Sequence, residues 1–145
     1  MLASAAPRRV EVSPAVDRRP DITRIGSGEK NGDMVTSRPV VDIVREALII
    51  ELSTNGYTIG SDGRDVIVAT DVEEFWLDVV RGYAKTQYLG KVAIALAVAD
   101  GRTGDALLTR RYIGIKRREV DKATNDLARD VMDAALARTM RHIGH

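Results

Sequence analysis

The most constraining stretch of this chain is Gly90-Lys91-Val92-Ala93-Ile94-Ala95-Leu96-Ala97-Val98-Ala99. Val92, Ile94, Leu96 and Val98 alternate strictly with alanines, the period-two pattern of a β-strand with one large-residue face and one small-residue face. A strand built this way buries its large face and cannot stand alone, so the chain must supply further strands and something apolar to lay on them. Two more strand-like segments flank it. Residues 64–80 carry Val66, Val68, Thr70 and Val72 on one phase and Ile67, Ala69, Phe75, Leu77 and Val79 on the other. The phase breaks around Glu73-Glu74, which points to a bulge or bend. Residues 106–116 form the third strand, with Leu107, Ile113 and Ile115 on one face and Leu108, Arg110, Tyr112 and Lys116 on the other. The cluster Asp100-Gly101-Arg102-Thr103-Gly104 between them reads as a hairpin turn.

The covering elements are two amphipathic helices. Ser37 and Pro39 open the first, as N-cap and first-turn residue. Val40, Val41, Ile43, Val44, Ala47, Leu48 and Leu52 form its apolar face, and Asn55-Gly56 stops it, giving a helix over 38–54. The second helix spans about 122–142, with Leu127, Val131, Met132, Ala135, Leu136 and Met140 at helical spacing. Asp126 and Asp130 lie towards its start and Arg138 and Arg141 towards its end, the favourable order for the helix dipole. A weak strand at Val10-Glu11-Val12 precedes both helices. The long polar stretch 17–38 reads as loop, with one short strand around Ile22–Ile25. The predicted fold is α+β: an antiparallel sheet of three to four strands with both helices on its large-residue face, in the order β-α-β-β-β-α. Residues 1–9 read as a disordered N-terminus or signal-peptide remnant, since Ala3-Ser4-Ala5 fits a small-residue cleavage pattern, and 10–145 as one domain.

Composition narrows the chemistry. Charged residues make up 30% of the 145 positions, hydrophobic residues 44%, and the net charge is +1, so no global field draws in nucleic acid or an anionic membrane. There is no cysteine, which removes thiolate nucleophiles, disulfides and a lipid-bearing thiol. No apolar run approaches the ~18 residues of a membrane helix. Histidine occurs only at His142 and His145, so no Ser-His-Asp set can form and no metal cluster is expected. Glu73-Glu74, as strand neighbours, are expected on opposite faces and unable to act as a pair. The glycine-rich run 25–32 lacks the Gly-Lys-Ser/Thr ending of a phosphate loop. These absences argue for a non-enzymatic protein without a cofactor.

Two clusters remain as contact surfaces. Phe75 and Trp76 adjoin where the strand phase breaks, with Tyr83 and Tyr88 beyond, and an exposed tryptophan is a typical protein-contact anchor. Arg110, Arg111, Arg117 and Arg118 crowd the third strand, with Arg18-Arg19 elsewhere. They read as edge-strand charge or as an anion-binding surface, and alternation splits each pair between two faces.

In its layout the chain resembles the YajG-type family of bacterial lipoproteins. The resembling residues are Val10-Glu11-Val12, Asp17-Arg18-Arg19 and Ile25-Gly26. They continue with the Ser37 helix ending in Asn55-Gly56-Tyr57, then Phe75-Trp76, Gly90-Lys91-Val92-Ala93, Arg111-Tyr112-Ile113-Gly114 and the terminal helix. The resemblance implies an exported, non-enzymatic protein, periplasmic or outer-membrane-associated; the absent catalytic groups, the Phe75-Trp76 segment and the long polar loop then point to an accessory domain that binds a protein partner or itself. The chain departs from that family in lacking the lipobox cysteine. A different class remains open: a cytoplasmic module binding nucleic acid or another polyanion through its arginines.

Overall fold

A computed structural model describes residues 9–28, 32–60 and 63–143. The elements are β1 (Arg9–Val12), β2 (Val16–Asp17), β3 (Gly26–Gly28), β4 (Gly32–Met34), α1 (Val40–Thr54), β5 (Thr58–Ile59), β6 (Val66–Arg81), β7 (Thr86–Asp100), β8 (Ala106–Val120) and α2 (Asn125–Ile143). The three long strands form the expected antiparallel meander, β6–β7–β8. β7 and β8 run a few residues beyond the 90–99 and 106–116 that periodicity indicated, because charged tips such as Arg117-Arg118 still pair through their backbones, while β6 keeps close to the expected 64–80.

The antiparallel sheet of three to four strands is corrected to a mixed, eight-stranded sheet among the described residues. The N-terminal segment runs parallel along the free side of β6 in three short pieces. Val10 pairs with Val66, Val16 with Asp71 and Gly26 with Leu77. β5 adds outside β1, also parallel, and β4 folds back antiparallel on β3. The chain returns from β1 to the parallel β5 and β6 through α1, so this helix is a crossover connection. The strand expected at 22–25 forms slightly later, as β3. The glycine-rich run falls partly outside the described residues, at 29–31.

Both helices pack on one face, as expected, with α1 against β5 and β6, α2 against β7 and β8, and the two helices touching. Val92, Ile94, Leu96 and Val98 are all buried beneath them. α1 buries Val40, Val44, Leu48 and Leu52, a one-turn repeat. Arg45 Nη2 of α1 donates to the Val12 carbonyl at 2.7 Å and ties the helix to the end of β1. The N-cap is Pro39, not Ser37, and no side chain caps this end. The C-terminal stop follows the expected chemistry in full. Gly56 takes φ +92°, its amide bonds the Ser53 carbonyl, and the Tyr57 amide bonds the Leu52 carbonyl, the paired bonds of a Schellman cap. Gly56→Ala is expected to cost about 1 kcal/mol by forcing a Cβ into the left-handed region, readable as a lowered urea midpoint. In α2 it is Thr124 that caps, its Oγ1 accepting from the Leu127 amide at 3.1 Å.

On β8 the helices cover Tyr112 and Gly114, leaving Leu107, Ile113 and Ile115 exposed. Counting apolar residues favours the opposite face. The reason lies at Gly114: a Cβ there would stand 2.6 Å from the Thr139 amide nitrogen of α2. The helix lies so close that only a hydrogen fits, and the large side chains are displaced to the other side.

Candidate functional site

Among the described residues neither helix lies on the other face of the sheet, and only the loop at 18–21 stands beside it. The rows of this face follow from the registers. Asp71, Ala95 and Arg111 lie abreast, then Glu74, Ala93 and Ile113, then Trp76, Lys91 and Ile115, then Asp78, Leu89 and Arg117. On β7 this face is small at Ala95 and Ala93, which larger side chains of β6 and β8 flank, and large beyond them at Lys91 and Leu89.

The bulge in β6 shapes this surface. Val72 pairs with Ile94 and Glu74 with Ala93, so Glu73 is the extra residue. Before it, Val66, Val68, Thr70 and Val72 face the helices; after it, Phe75 and Leu77 do. The expectation that Glu73 and Glu74 point to opposite faces is corrected, because a bulge sets two consecutive residues against one partner residue. Both line the same open concavity, Glu73 held by a cation of β8 reaching across β7 and Glu74 by one of β7 itself. Arg111 Nη2 lies 2.7 Å from Glu73 Oε2, and Lys91 Nζ lies 3.2 Å from Glu74 Oε1.

The concavity holds about 620 Å³ between Trp76, Ala93 and Ile113 on the sheet and residues 18–21 of the loop that rises beside β6. Trp76 is half-buried at its side. Its indole Nε1 donates to Asp78 Oδ1 at 2.8 Å, and the Arg24 guanidinium sits 5.5 Å from the ring centroid, within cation–π range.

The loop is held by Arg19, whose side chain is only 5% exposed. Its Nε and Nη2 bond both oxygens of Asp17 at 2.9 and 2.8 Å, and its remaining donors reach the carbonyls of Ile22 and Arg24. The Arg19 guanidinium holds the Asp17 carboxyl below its usual range, against the opposing effect of burial. The side-chain and backbone donors of Thr23, with Arg24 beside them, bring Asp21 down to about 2. Arg19 is thus a structural staple, and nothing in the residue pattern distinguished it from the exposed Arg18.

Of the four aromatic candidates, the structure leaves only Trp76 on this face. Phe75 and Tyr88 are buried in the core, and the Tyr88 hydroxyl donates to the Thr124 carbonyl at 3.3 Å. Tyr83 is fully exposed in the β6–β7 turn. The four arginines of β8 do not converge. Arg111 and Arg117 lie on the open face, separated by six residues or roughly 20 Å of strand. Arg110 and Arg118 lie on the opposite face. Arg110 sits beside Tyr112, whose hydroxyl burial pushes its pKa up while Arg110 pulls it down.

Among the described residues no group of three His, Cys, Asp or Glu side chains could hold a metal ion, and His142 is exposed; His145 lies outside them. No described helix is long and apolar enough to cross a membrane.

No family model and no curated protein matches this chain. Solved structures do. Protein XCC0632 from Xanthomonas campestris, of the family model DUF330, superposes with a TM-score of 0.71 at 12% identity, covering 96% of this chain and 82% of that one. A minor lipoprotein from Acinetobacter baumannii gives 0.55 at 12% identity, covering 96% and 89%. The PelC dodecamer from Paraburkholderia phytofirmans gives 0.52 at 13% identity, covering 95% and 89%. At these identities the likeness is one of fold: this chain has the α+β fold that these bacterial proteins share.

Proposed function

We propose that this chain is a non-enzymatic accessory domain of the bacterial cell envelope, and that it works by binding a protein, a partner or another copy, through its open sheet face. The observation that carries the reading is the concavity beside Trp76, an apolar floor with a charged rim on a face that, among the described residues, no helix covers. A half-buried tryptophan at the edge of such a hollow is a typical anchor. Glu73, Glu74 and Asp21 are each engaged by a cation, so the face presents bound charge rather than a poised acid and base. The likeness in fold to a lipoprotein and to a protein that forms a dodecamer supports the envelope setting and the binding role. The polyanion reading gains nothing from the geometry, since its four arginines divide between two faces.

Two measurements test this. Fractionation of the source cells with an antibody to the domain is expected to place it in the envelope; recovery in the cytoplasm would overturn that part. Trp76→Ala is expected to weaken native association at least about tenfold, as anchor truncations do. A variant that keeps every native complex, seen by cross-linking in intact cells, removes Trp76 from the contact surface.

A further inference from the structure

The outer edge of β8 is open. Among the described residues β8 pairs only with β7, and it runs for 15 residues. One side of a long strand thus keeps its amides and carbonyls without strand partners. Ile115 shows which residues these are, because its carbonyl accepts from Arg138 Nη1 of α2 at 2.6 Å, around the edge. In an antiparallel pair the backbone groups of alternate residues turn outward, so Arg111, Ile113 and Arg117 share the direction of Ile115. Arg138 is an exposed side chain, so an incoming strand has only a side chain to displace.

The side chains along this edge are ordered. On the open face Ile113 and Ile115 are 45% and 42% exposed. On the helix side stand Lys116 and Arg118, with Arg110 before them. Among the described residues no ion pair engages Lys116, Arg117 or Arg118, whereas Arg111 is already held by Glu73. A strand laid against β8 therefore meets apolar side chains on one face and unpaired cations on the other. We propose, resting on the protein-binding role just given to this sheet, that the β8 edge takes up an extended segment of a protein partner in which acidic residues alternate with apolar ones. The segment joins the sheet as its next strand, held by main-chain bonds. Its apolar side chains lie beside Ile113 and Ile115, and its carboxylates beside Lys116 and Arg118.

The same cations exclude a second copy from this place. Antiparallel pairing of two β8 edges centred on Gly114 aligns Ile113 with Ile115. It also sets Arg110 against Arg118 and Arg111 against Arg117, and like charges directly opposite destabilise a strand pair. Charge on an edge strand bars strands of its own sign, which leaves an acidic strand as the one it admits.

The test titrates the full chain, at neutral pH, into a labelled synthetic peptide of alternating glutamate and valine. Fluorescence anisotropy up to about 100 micromolar protein registers weak binding. Saturable binding is expected, and none to the matching lysine–valine peptide. Lys116→Gln combined with Arg118→Gln is expected to weaken binding roughly tenfold, the loss of two cross-strand charge pairs, with the fold checked by circular dichroism. Two further peptides separate strand addition from charge attraction, one N-methylated at every valine and one at every glutamate. Only alternate amides of an added strand face β8, so one of the two is expected to lose binding and the other to keep it. The proposal is overturned by a glutamate–valine peptide that does not bind, by a lysine–valine peptide that binds as well, by a double variant as tight as wild type, or by two methylated peptides that behave alike. None of these outcomes touches the role of Trp76 on the open face, which cross-linking of Trp76→Ala in intact cells decides separately.

Discussion

Gly114→Ala is expected to cost about 3 kcal/mol, a large penalty for one methyl group, because overpacking against atoms that cannot yield reaches the top of its range. The added carbon would stand 2.6 Å from the Thr139 amide nitrogen and closer still to the Ala135 carbonyl oxygen and Thr139 Oγ1. Two of these atoms belong to the backbone of mid-α2, so no rotamer change relieves the clash and the helix must lift as a unit. That helix buries Val131, Met132, Ala135, Leu136, Met140 and Ile143. Lifting it also breaks the bond from Thr139 Oγ1 to the Val92 carbonyl, 3.3 Å in the native packing. For a chain of this size the thermal midpoint should fall by about 10 °C. Gly60→Ala is the matched control, with nothing within 4 Å of its added carbon, and should stay within about 0.5 kcal/mol of wild type. A Gly114→Ala protein that melts with the wild type would mean that α2 sits further from β8 than described here.

The second large effect is expected at Arg19. Arg19→Ala removes a guanidinium with 5% of its side chain exposed and leaves Asp17, itself 19% exposed, beside two carbonyls that have lost their donor. Breaking a buried pair from one side costs about 3 kcal/mol. The loss should carry a pH signature. Arg19 lowers the Asp17 pKa in the folded state from the ordinary 3.8. A depressed carboxylate contributes stability that is complete above its unfolded pKa and is lost as pH falls through the folded one. The gap between wild type and Arg19→Ala should therefore be full at neutral pH and narrow below the ordinary value of 3.8. Urea denaturation of both proteins at neutral and acid pH measures it. A gap unchanged by acid would show that Arg19 acts through packing alone. Because this staple holds the loop beside Trp76, the same variant should also open the wall of the concavity, seen as a change in Trp76 fluorescence in the folded protein.

Much of the framework was legible residue by residue. The alternation at 92–98 placed β7 and its buried face, and Asn55-Gly56 marked the end of α1 to the residue. The broken phase at Glu73-Glu74 announced the bulge. The strand period also divides Arg110 from Arg111 and Arg117 from Arg118. These are features of neighbouring residues, and backbone geometry over a few positions dictates them.

What local pattern could not carry was any choice between distant partners. The parallel run of β1, β2 and β3 along β6 depends on α1 carrying the chain back over the sheet, and two- or three-residue strands leave no periodic trace. The covered face of β8 was decided by one glycine against a helix more than twenty residues away, although Ile113 and Ile115 argued for the other side. Phe75 and Trp76 were both read as contact candidates, and the register past Glu73 set Phe75 inward and Trp76 onto the open face. Arg19 looked like Arg18 until Asp17 and the carbonyls of the loop folded around it. The sequence by itself determined where the three long strands and the two helices run, and which residues share a face away from the bulge, because those depend on local backbone period. Only the tertiary structure decided which face the helices close and which they leave open, because that depends on how closely remote segments can approach.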